Sequence, residues 1–411
     1  MRGKSRLAVG VLDQAVSSVG NFLPALTAAR WFEPQQAGTV VLGMSAAFVA
    51  VGLQRAIVGE PMLSRSASPK QSKNNDIVLH GIATAFVLGI LAALIGVAVW
   101  ATGLSIAEGI IWIAPWIPAI LVQDAARSAF FGQGRPEGAL ILDLSWLLPQ
   151  AALTVWIFSS GNESPALLVA AWGCGAFVSA SLYLIFSRMN LLQGRPLVWI
   201  RSVGHLSGWF TAQAIFAQVQ YQLVLFIIAA LLSKAAAGGF RVVQLIALQP
   251  VQTLLLAAIV VLTPKVAQLA SERNLPRIHQ TTMRNLAVIA TAWSPWIVVC
   301  VFRREILATI FPNFVEFSYL IIPMALTSFL YCLQTPFSIA LRGMQRARAM
   351  FSIQFVFSIT TIVAVFAGAA WFGDAGAAWG YLGGGICQLV GAVVAYRRAV
   401  IVQISLRLGA S

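Results

Sequence analysis

The chain has 411 residues, of which 59% are hydrophobic and only 10% charged, and its formal net charge at pH 7 is +14. A soluble domain carries about 25% charged residues, so this chain has too little polar surface to face water and needs the bilayer as its solvent. The basic residues lie in short segments between apolar stretches. We therefore expect membrane lipid headgroups, and no nucleic acid, as their partners.

Twelve apolar stretches follow one another along the chain, each close to the roughly 20 residues that a membrane-spanning helix needs. They predict an all-α polytopic membrane protein with about 12 transmembrane helices. The predicted spans are residues 7–29, 38–58, 77–101, 107–131, 139–158, 165–186, 205–232, 238–264, 285–302, 318–341, 350–372 and 376–402.

Lys and Arg residues are distributed unevenly between alternate gaps. Of the 27 in the chain, only Arg30, Lys234, Arg241, Arg303 and Arg304 fall on one side, and all the others fall on the opposite side. Cytoplasmic segments carry the Lys/Arg excess in membrane proteins, so the richer side is predicted to be cytoplasmic. With an even number of spans, both termini are then predicted to be cytoplasmic as well.

The two halves of the chain share a weak similarity. A shift of 199 residues places Gln14 on Gln213 and Asn21 on Gln220, and weaker matches follow in the same order further along. These matches predict two six-helix parallel repeats around a central cavity, an arrangement in which substrate sites lie between the repeats. Chance similarity among apolar sequences is the alternative. The two predicted lobes are residues 1–200 and 201–411.

Amide side chains inside the predicted spans are candidates for a substrate site. Polar groups in hydrocarbon usually face a bundle interior or a watery cavity. The candidates are Asn21 on the first span, Gln213 and Gln220 on the seventh, and Gln244 and Gln252 on the eighth. They can bind the hydroxyl groups of a substrate, or they can hold neighbouring helices together; the sequence leaves both interpretations open.

Arg241 is a candidate for binding an anionic group. It lies on the predicted outer side, against the charge trend, and shares a helical face with Gln244 and Gln252. A guanidinium can grip a phosphate through paired hydrogen bonds. The alternative is that the side chain extends to the outer lipid headgroups.

Charged residues near the inner ends of spans predict an ionic gate. Asp124 and Arg127 are three residues apart and can pair on one helix face, with Asp143 and Arg55 across from them. The alternative is that these charges only hold one another at the interface. Asp13, deep in the first span, is the candidate for coupling transport to H⁺ or Na⁺.

Nothing in the sequence predicts an enzyme. There is no nucleophile–base arrangement, phosphate-binding glycine loop or metal-ligand spacing, and His80, His205 and His279 all fall near the predicted cytoplasmic side. We expect no metal and no cofactor apart from a coupling ion. A membrane-embedded glycan polymerase or ligase is the enzymatic alternative, and a transport-inactive scaffold of the same fold is another.

Three segments resemble the polysaccharide-biosynthesis flippases of the multidrug/oligosaccharidyl-lipid/polysaccharide (MOP) exporter superfamily. The first two helices of that family are similar to ARWFEPQQAGTVVLGMSAAFVAVGLQRAIVGEPML (29–63). Its fourth and fifth helices are similar to PWIPAILVQDAARSAFFGQGRPEGALILDL (115–144), and the start of its tenth helix is similar to FPNFVEFSYLIIPMAL (311–326). The resemblance covers most of the chain.

The resemblance implies a MATE-like fold and a function. It implies flipping of a lipid-linked oligosaccharide or polysaccharide precursor from the cytoplasmic to the outer leaflet of a bacterial inner membrane. Possible pathway partners are a glycan polymerase or glycosyltransferases. In related flippases of the peptidoglycan precursor, early-helix arginines meet the substrate pyrophosphate. Arg55 matches the second-helix arginine, whereas Asp13, Gln14 and Asn21 occupy the stretch of the first-helix arginine, which disfavours that particular precursor.

A second function remains open from the same resemblance. A cation-coupled multidrug exporter of this superfamily needs buried carboxylates that exchange protons or sodium for a cationic drug. Asp13 is the residue that this alternative would require.

Overall fold

The structure is a computed structural model that describes residues 2–65, 75–162, 164–203, 208–272 and 274–408, and every regular element within those ranges is helical. Lys70, Lys73, His205 and Arg273 lie outside the described residues. The chain divides into two compact units, Met1–Gln222 and Leu223–Ser411, here called unit 1 and unit 2. This division falls inside a helix, whereas the predicted lobe boundary at residue 200 precedes that helix; the internal duplication stays a prediction.

Unit 1 contains nine complete helices and the first part of a tenth, within the described residues. They are α1 (Arg2–Trp31), α2 (Pro34–Gln54), α3 (Glu60–Arg65), α4 (Asn75–Ala101), α5 (Glu108–Ile113), α6 (Ile117–Gly132), α7 (Pro136–Ser159), α8 (Pro165–Phe186), α9 (Pro196–Val203) and α10 (Gly208–Leu231).

Proline and glycine fix the ends of several of these helices. Pro34, Pro136 and Pro165 occupy the first helical position, where the N–H that proline lacks would have no intrahelical acceptor. Gly134 and Gly161, in the turns after α6 and α7, have φ of 66° and 72°, a conformation that glycine adopts without steric cost. These signals set the lengths of α6 and α7.

A π-helical turn, Arg55–Gly59, connects α2 directly to α3. The Glu60 backbone N–H donates to the Arg55 carbonyl oxygen, which is the i→i+5 pattern of such a turn. Single π turns inside α-helices are frequent at functional sites. This one begins at Arg55, which the sequence had marked as a candidate for binding substrate.

Unit 2 contains the end of α10 and seven further helices among the described residues. They are α11 (Lys234–Ala247), α12 (Gln249–Ser271), α13 (Leu275–Ala292), α14 (Pro295–Val301), α15 (Arg303–Ile310), α16 (Ile321–Gly343) and α17 (Ala347–Leu408).

The longest helix, α17, is two antiparallel arms rather than one rod. Gly373 has φ of 66° and ψ of −151°, so the chain reverses there. The Asp374 carboxylate accepts from the Ala375 backbone N–H at 2.9 Å and from the Tyr319 hydroxyl at 2.5 Å. The arms are therefore the predicted eleventh and twelfth spans.

The prediction of long apolar helices is confirmed. Eight helical stretches of the described residues are long and apolar enough to cross a membrane, one of them being the two arms of α17, and a shorter apolar helix covers Ile215–Leu231. The predicted first and eighth spans are also helical, in α1 and in α11 with α12.

The gap between the predicted eighth and ninth spans, residues 265–284, is mostly helical: α12 runs to Ser271 and α13 begins at Leu275. The Asn274 side chain accepts from the Arg277 backbone N–H at 3.3 Å and so caps α13. The cap lets a polar sequence begin a helix well before the apolar part of the span.

Candidate functional site

Arg127 on α6 lies at the centre of a buried charge cluster in unit 1. Its Nη2 lies 2.5 Å from Asp13 Oδ2 on α1, and its Nε lies 3.0 Å from Asp143 Oδ2 on α7. The same Nη2 donates to Gln14 Oε1 at 3.3 Å, and the guanidinium carbon lies 5.2 Å from the centroid of the Phe131 ring. One arginine thus joins three helices.

Arg55 and Asp124 form a second ion pair in the same cluster. Arg55 Nη2 lies 2.6 Å from Asp124 Oδ1, and Arg55 Nε donates to Oδ1 and Oδ2 at 3.0 and 3.1 Å. Paired N–H donors on a carboxylate hold it more strongly than a single hydrogen bond. The Arg55 side chain is 51% exposed and that of Asp124 only 8%, so Arg55 keeps a surface that a ligand can reach.

The charged residues that the sequence marked near the inner ends of spans lie together at this site, but their pairing differs from the predicted one. Asp124 and Arg127 were expected to pair along one face of α6. Each pairs instead with a residue on another helix, Asp124 with Arg55 and Arg127 with Asp13 and Asp143. The packing of the helices decides which charged residues meet, and spacing along the sequence does not reveal that packing. The role of these residues as an inner gate stays a prediction.

The cluster contains more acid than base. Three carboxylates, all buried, face two guanidinium groups, so the cluster carries one excess negative charge when every group is ionised. The Asp13 Oδ1 atom is buried and has no hydrogen-bond partner among the described residues. An uncompensated buried charge is costly. This arrangement can therefore bind a proton or a monovalent cation.

A cavity of ≈ 90 Å³ lies beside the charge cluster, within unit 1. Arg55, Asp124 and Arg127 form part of its wall. Further residues that line it include Ser17, Asn21, Phe48, Trp146, Trp172 and Gln218. Both hydrogen-bonding groups and aromatic rings are therefore available to a small ligand there.

Buried hydrogen bonds hold α7 in place around this cavity. Trp146 Nε1 donates to the Trp172 carbonyl oxygen at 2.9 Å, and Gln150 Nε2 donates to the Gly20 carbonyl oxygen at 2.9 Å. Gln150 is fully buried. It was not a candidate from the sequence, although an amide inside an apolar span is a signal that could have found it.

The amides of α10 separate into different environments. Gln218 packs against α2: its Nε2 donates to the Phe48 carbonyl oxygen at 3.2 Å, and a Cβ added to Gly52 would overlap the Gln218 side chain. Gln213 is half-buried. Gln220 is buried, and its Nε2 has no hydrogen-bond partner among the described residues.

In unit 2, α11 buries Arg241 and Gln244 together. Arg241 Nη1 donates to Gln244 Oε1 at 3.4 Å, and Gln244 Nε2 has no hydrogen-bond partner among the described residues. Gln252 lies on α12 and is half-buried. The predicted face from Arg241 to Gln252 is interrupted at Leu248, because Pro250 lacks the N–H that would continue the helix.

The histidines of the described residues make ordinary structural contacts. His80 Nδ1 accepts from the Arg195 backbone N–H at 3.2 Å, and His279 Nδ1 lies 3.2 Å from the Tyr396 hydroxyl. The same part of the chain contains no group of three or more His, Cys, Asp or Glu side chains that could hold a metal ion.

Several solved structures are similar to this chain over nearly its whole length. A multidrug-resistance MATE-family transporter of the MOP superfamily, in an inward-facing conformation, has a TM-score of 0.74 at 12% identity and covers 97% of this chain and 98% of its own. The lipid II flippase MurJ, in an inward closed conformation, has a TM-score of 0.69 at 11% identity, with 95% and 87% covered.

A third similar structure is a MOP-superfamily transporter from Pyrococcus furiosus with a binding pocket of reverse polarity. Its TM-score is 0.62 at 14% identity, and it covers 98% of this chain and 94% of its own. No protein-family model matches the sequence, and no curated protein matches it.

These similarities establish the fold. The chain has the MATE-like, all-α fold of the MOP-superfamily transporters, as the sequence predicted, and it is a multi-pass membrane protein. The similar structures are two transporters and a flippase.

Proposed function

We propose that this protein moves a lipid-linked oligosaccharide or polysaccharide precursor from the cytoplasmic to the outer leaflet of a bacterial inner membrane by alternating access. Its partners would be the glycan lipid, the surrounding membrane lipids, and a glycan polymerase or glycosyltransferases of the same pathway. One of the similar structures is a lipid II flippase, so this fold can serve to move a lipid.

Buried amide donors are the observation that carries the proposal. Gln54, Gln220 and Gln244 are all buried, and the Nε2 of each has no hydrogen-bond partner among the described residues. A buried donor without an acceptor costs about 1–3 kcal/mol. A ligand rich in hydroxyl groups supplies acceptors without bringing charge, and this favours a glycan. Asn21, Gln213 and Gln252 are the further amides that we assign to it.

Each unit contains an arginine that can bind the phosphate of such a substrate. Arg241 is buried beside Gln244 in unit 2, where its guanidinium suits the bidentate geometry of a phosphate. Arg55 lines the cavity of unit 1 and is half exposed although it is paired with Asp124. A phosphate that reached Arg55 would share its donors with the Asp124 carboxylate, which links substrate binding to the charge cluster.

The charge cluster supports coupling of transport to H⁺ or Na⁺. Its excess carboxylate charge is compensated when a proton or a monovalent cation binds, and the buried Asp13 Oδ1 atom is an acceptor that lacks a partner among the described residues. We therefore assign ion coupling to Asp13, with Asp124, Arg127 and Asp143 as the inner gate through which this coupling acts.

A cation-coupled multidrug exporter is the second candidate. It is favoured by the three buried carboxylates and by the MATE-family transporter among the similar structures. A cationic drug, however, would have to share those carboxylates with Arg55 and Arg127, which already pair with them. The hydroxyl groups of a glycan need no carboxylate, and we therefore place the glycan substrate first.

A flipping assay in proteoliposomes tests the proposal. A lipid-linked oligosaccharide with a fluorophore on the glycan is reconstituted with the protein, and an impermeant quencher reports the fraction in the outer leaflet. We expect Gln244→Leu and Arg241→Met to slow flipping at least about tenfold, the effect of losing one charge-assisted hydrogen bond of about 1.5–3 kcal/mol. Arg241→Lys should retain part of the activity.

The matched control is Lys265→Met, which removes a positive charge from an exposed side chain. Fluorescent phosphatidylcholine serves as the control lipid, because it carries a phosphate but no glycan. Wild-type flipping of both lipids at equal rates, or full activity of Gln244→Leu with Arg241→Met, would reject the glycan assignment. Uptake of a cationic dye without glycan flipping would favour the exporter.

A further inference from the structure

A groove with a cavity volume of ≈ 560 Å³ runs between the two arms of α17 in unit 2. Its walls are mostly apolar, with Val356 on the first arm and Val390 and Val394 on the second among the lining residues. These three valines are exposed. In a membrane-spanning hairpin such a groove is open to lipid, and its size falls in the range of small-molecule sites, about 300–1,000 Å³.

Positive charge is concentrated at one end of the groove. Arg346 immediately precedes the first arm and Arg398 lies near the end of the second, so both line the groove at the end that the charge distribution predicts to be cytoplasmic. Arg346 also begins the helix: its carbonyl oxygen accepts from the Met350 backbone N–H at 3.1 Å. The first-turn N–H groups of a helix favour an anion.

The length of the groove corresponds to one leaflet. From Arg346 to Val356 the chain rises about 15 Å at roughly 1.5 Å per residue, and from Arg398 back to Cys387 it spans a similar length. The hydrocarbon core of a bilayer is about 30 Å thick, so each leaflet contributes about 15 Å. The groove therefore matches an acyl chain whose headgroup stays at the cytoplasmic surface.

We infer that this groove binds an anionic phospholipid of the cytoplasmic leaflet. One acyl chain lies between the arms of α17, and the headgroup phosphate contacts Arg346 and Arg398. Basic pockets between membrane helices on the cytoplasmic side bind anionic lipid headgroups in this way. The inference is independent of the transported substrate, because none of the residues assigned to that substrate lines the groove.

Retention of defined lipids by the purified full-length protein tests the inference. The protein is exchanged into detergent with equal amounts of phosphatidylglycerol and phosphatidylcholine, and bound lipids are counted by native mass spectrometry. We expect preferential retention of phosphatidylglycerol. Replacing Arg346 and Arg398 by Gln should weaken it about tenfold to thirtyfold, given the contribution of each basic residue near an anionic lipid.

Two further variants make the result specific. Gly391→Leu fills the groove, since a Cβ at Gly391 meets only Ile353 at ordinary contact distance; it should also reduce retention. The double variant Arg277→Gln with Arg284→Gln removes equal charge from exposed positions on α13 outside the groove, and it should retain lipid as the wild type does. Equal binding of both lipids, or equal loss in both double variants, would overturn the inference. Unchanged retention by Gly391→Leu would overturn the acyl-chain site.

Discussion

The two units differ in the charged residues that they bury most fully. Among the described residues, all buried carboxylates, Asp13, Asp124 and Asp143, lie in unit 1, whereas the buried cations Lys234 and Arg241 lie in unit 2. The ion pairs that join these three carboxylates to Arg55 and Arg127 also lie in unit 1. Buried acids in one unit and buried bases in the other suit two different ligands, a cation in unit 1 and an anion in unit 2.

The two units also differ in the interactions that a substitution of a buried residue would remove. Unit 1 depends on ion pairs between helices, where removing one partner leaves the other charged and buried. Unit 2 contains apolar clusters, such as the one around Leu341, Met350 and Tyr396 at the inner ends of α16 and α17. Substitutions of matched chemistry should therefore have unequal effects in the two units.

The largest effect is expected for Arg127→Met. This change leaves Asp13 and Asp143 buried without their shared cation, and breaking a buried pair in this way costs about 3–5 kcal/mol. The corresponding Arg241→Met in unit 2 leaves no buried carboxylate behind among the described residues, and we expect a loss of only about 1 kcal/mol. Equilibrium unfolding in mixed micelles compares the two free energies.

A neutralised cluster serves as the control for Arg127→Met. Adding Asp13→Asn and Asp143→Asn removes both uncompensated charges and should restore most of the lost stability. Equal stabilities for Arg127→Met and Arg241→Met would contradict the contrast drawn between the units.

The Arg55–Asp124 pair should show a strong and asymmetric coupling. In a double-mutant cycle with Arg55→Gln and Asp124→Asn, we expect a coupling free energy of about 2 kcal/mol, typical of a charge-assisted contact. Arg55→Gln should be the more destabilising single change, because it leaves the 8%-exposed carboxylate unpaired, whereas Asp124→Asn leaves an arginine that is 51% exposed. Independent, additive effects would show that the pair is energetically irrelevant.

In unit 2, a substitution at the chain reversal of α17 tests the contribution of backbone conformation to stability. Gly373→Ala forces an L side chain to adopt φ of 66° at the reversal of α17, and we expect a cost of about 1–2 kcal/mol. Gly383→Ala is the matched control: it lies in the second arm with no atom within 4 Å of an added Cβ, and alanine should stabilise the helix there by up to about 1 kcal/mol. The two melting temperatures should move in opposite directions.

Most of the fold could be predicted from the sequence, because a helix that spans a bilayer is marked by a long run of apolar residues. The predicted span 165–186 coincides with α8 (Pro165–Phe186), since an apolar run between turn residues has few alternatives. The start of α13 could not be predicted, because a side-chain cap by Asn274, not hydrophobicity, sets it.

The candidate site was only partly predictable. Asp13, Arg55 and Arg127 stood out because charge inside a span is rare. Their pairing depends on how α1, α2, α6 and α7 pack, and a single sequence carries no record of those distances. Gln218 lies on the same span as the candidates Gln213 and Gln220, but its contact with Phe48 and Gly52 depends on a close approach of helices that no local pattern reveals.

Asp13→Asn should change stability little and should remove one specific function, the coupling of transport to an ion. In Asp13→Asn the amide oxygen still accepts from Arg127, and Asp143 still pairs with that arginine, so we expect the free energy of unfolding to change by no more than about 1 kcal/mol. The excess negative charge is lost, however, and with it the reason for a cation to bind.

Transport by Asp13→Asn should therefore proceed at a rate that no longer responds to an imposed H⁺ or Na⁺ gradient, while the wild type responds. The measurement is flipping in proteoliposomes with and without each gradient. Asp76→Asn, which removes an exposed acid in the first turn of α4, is the control and should retain the response. A gradient response that survives in Asp13→Asn would remove ion coupling from unit 1, and the opposite burial of charge in the two units would then concern stability alone.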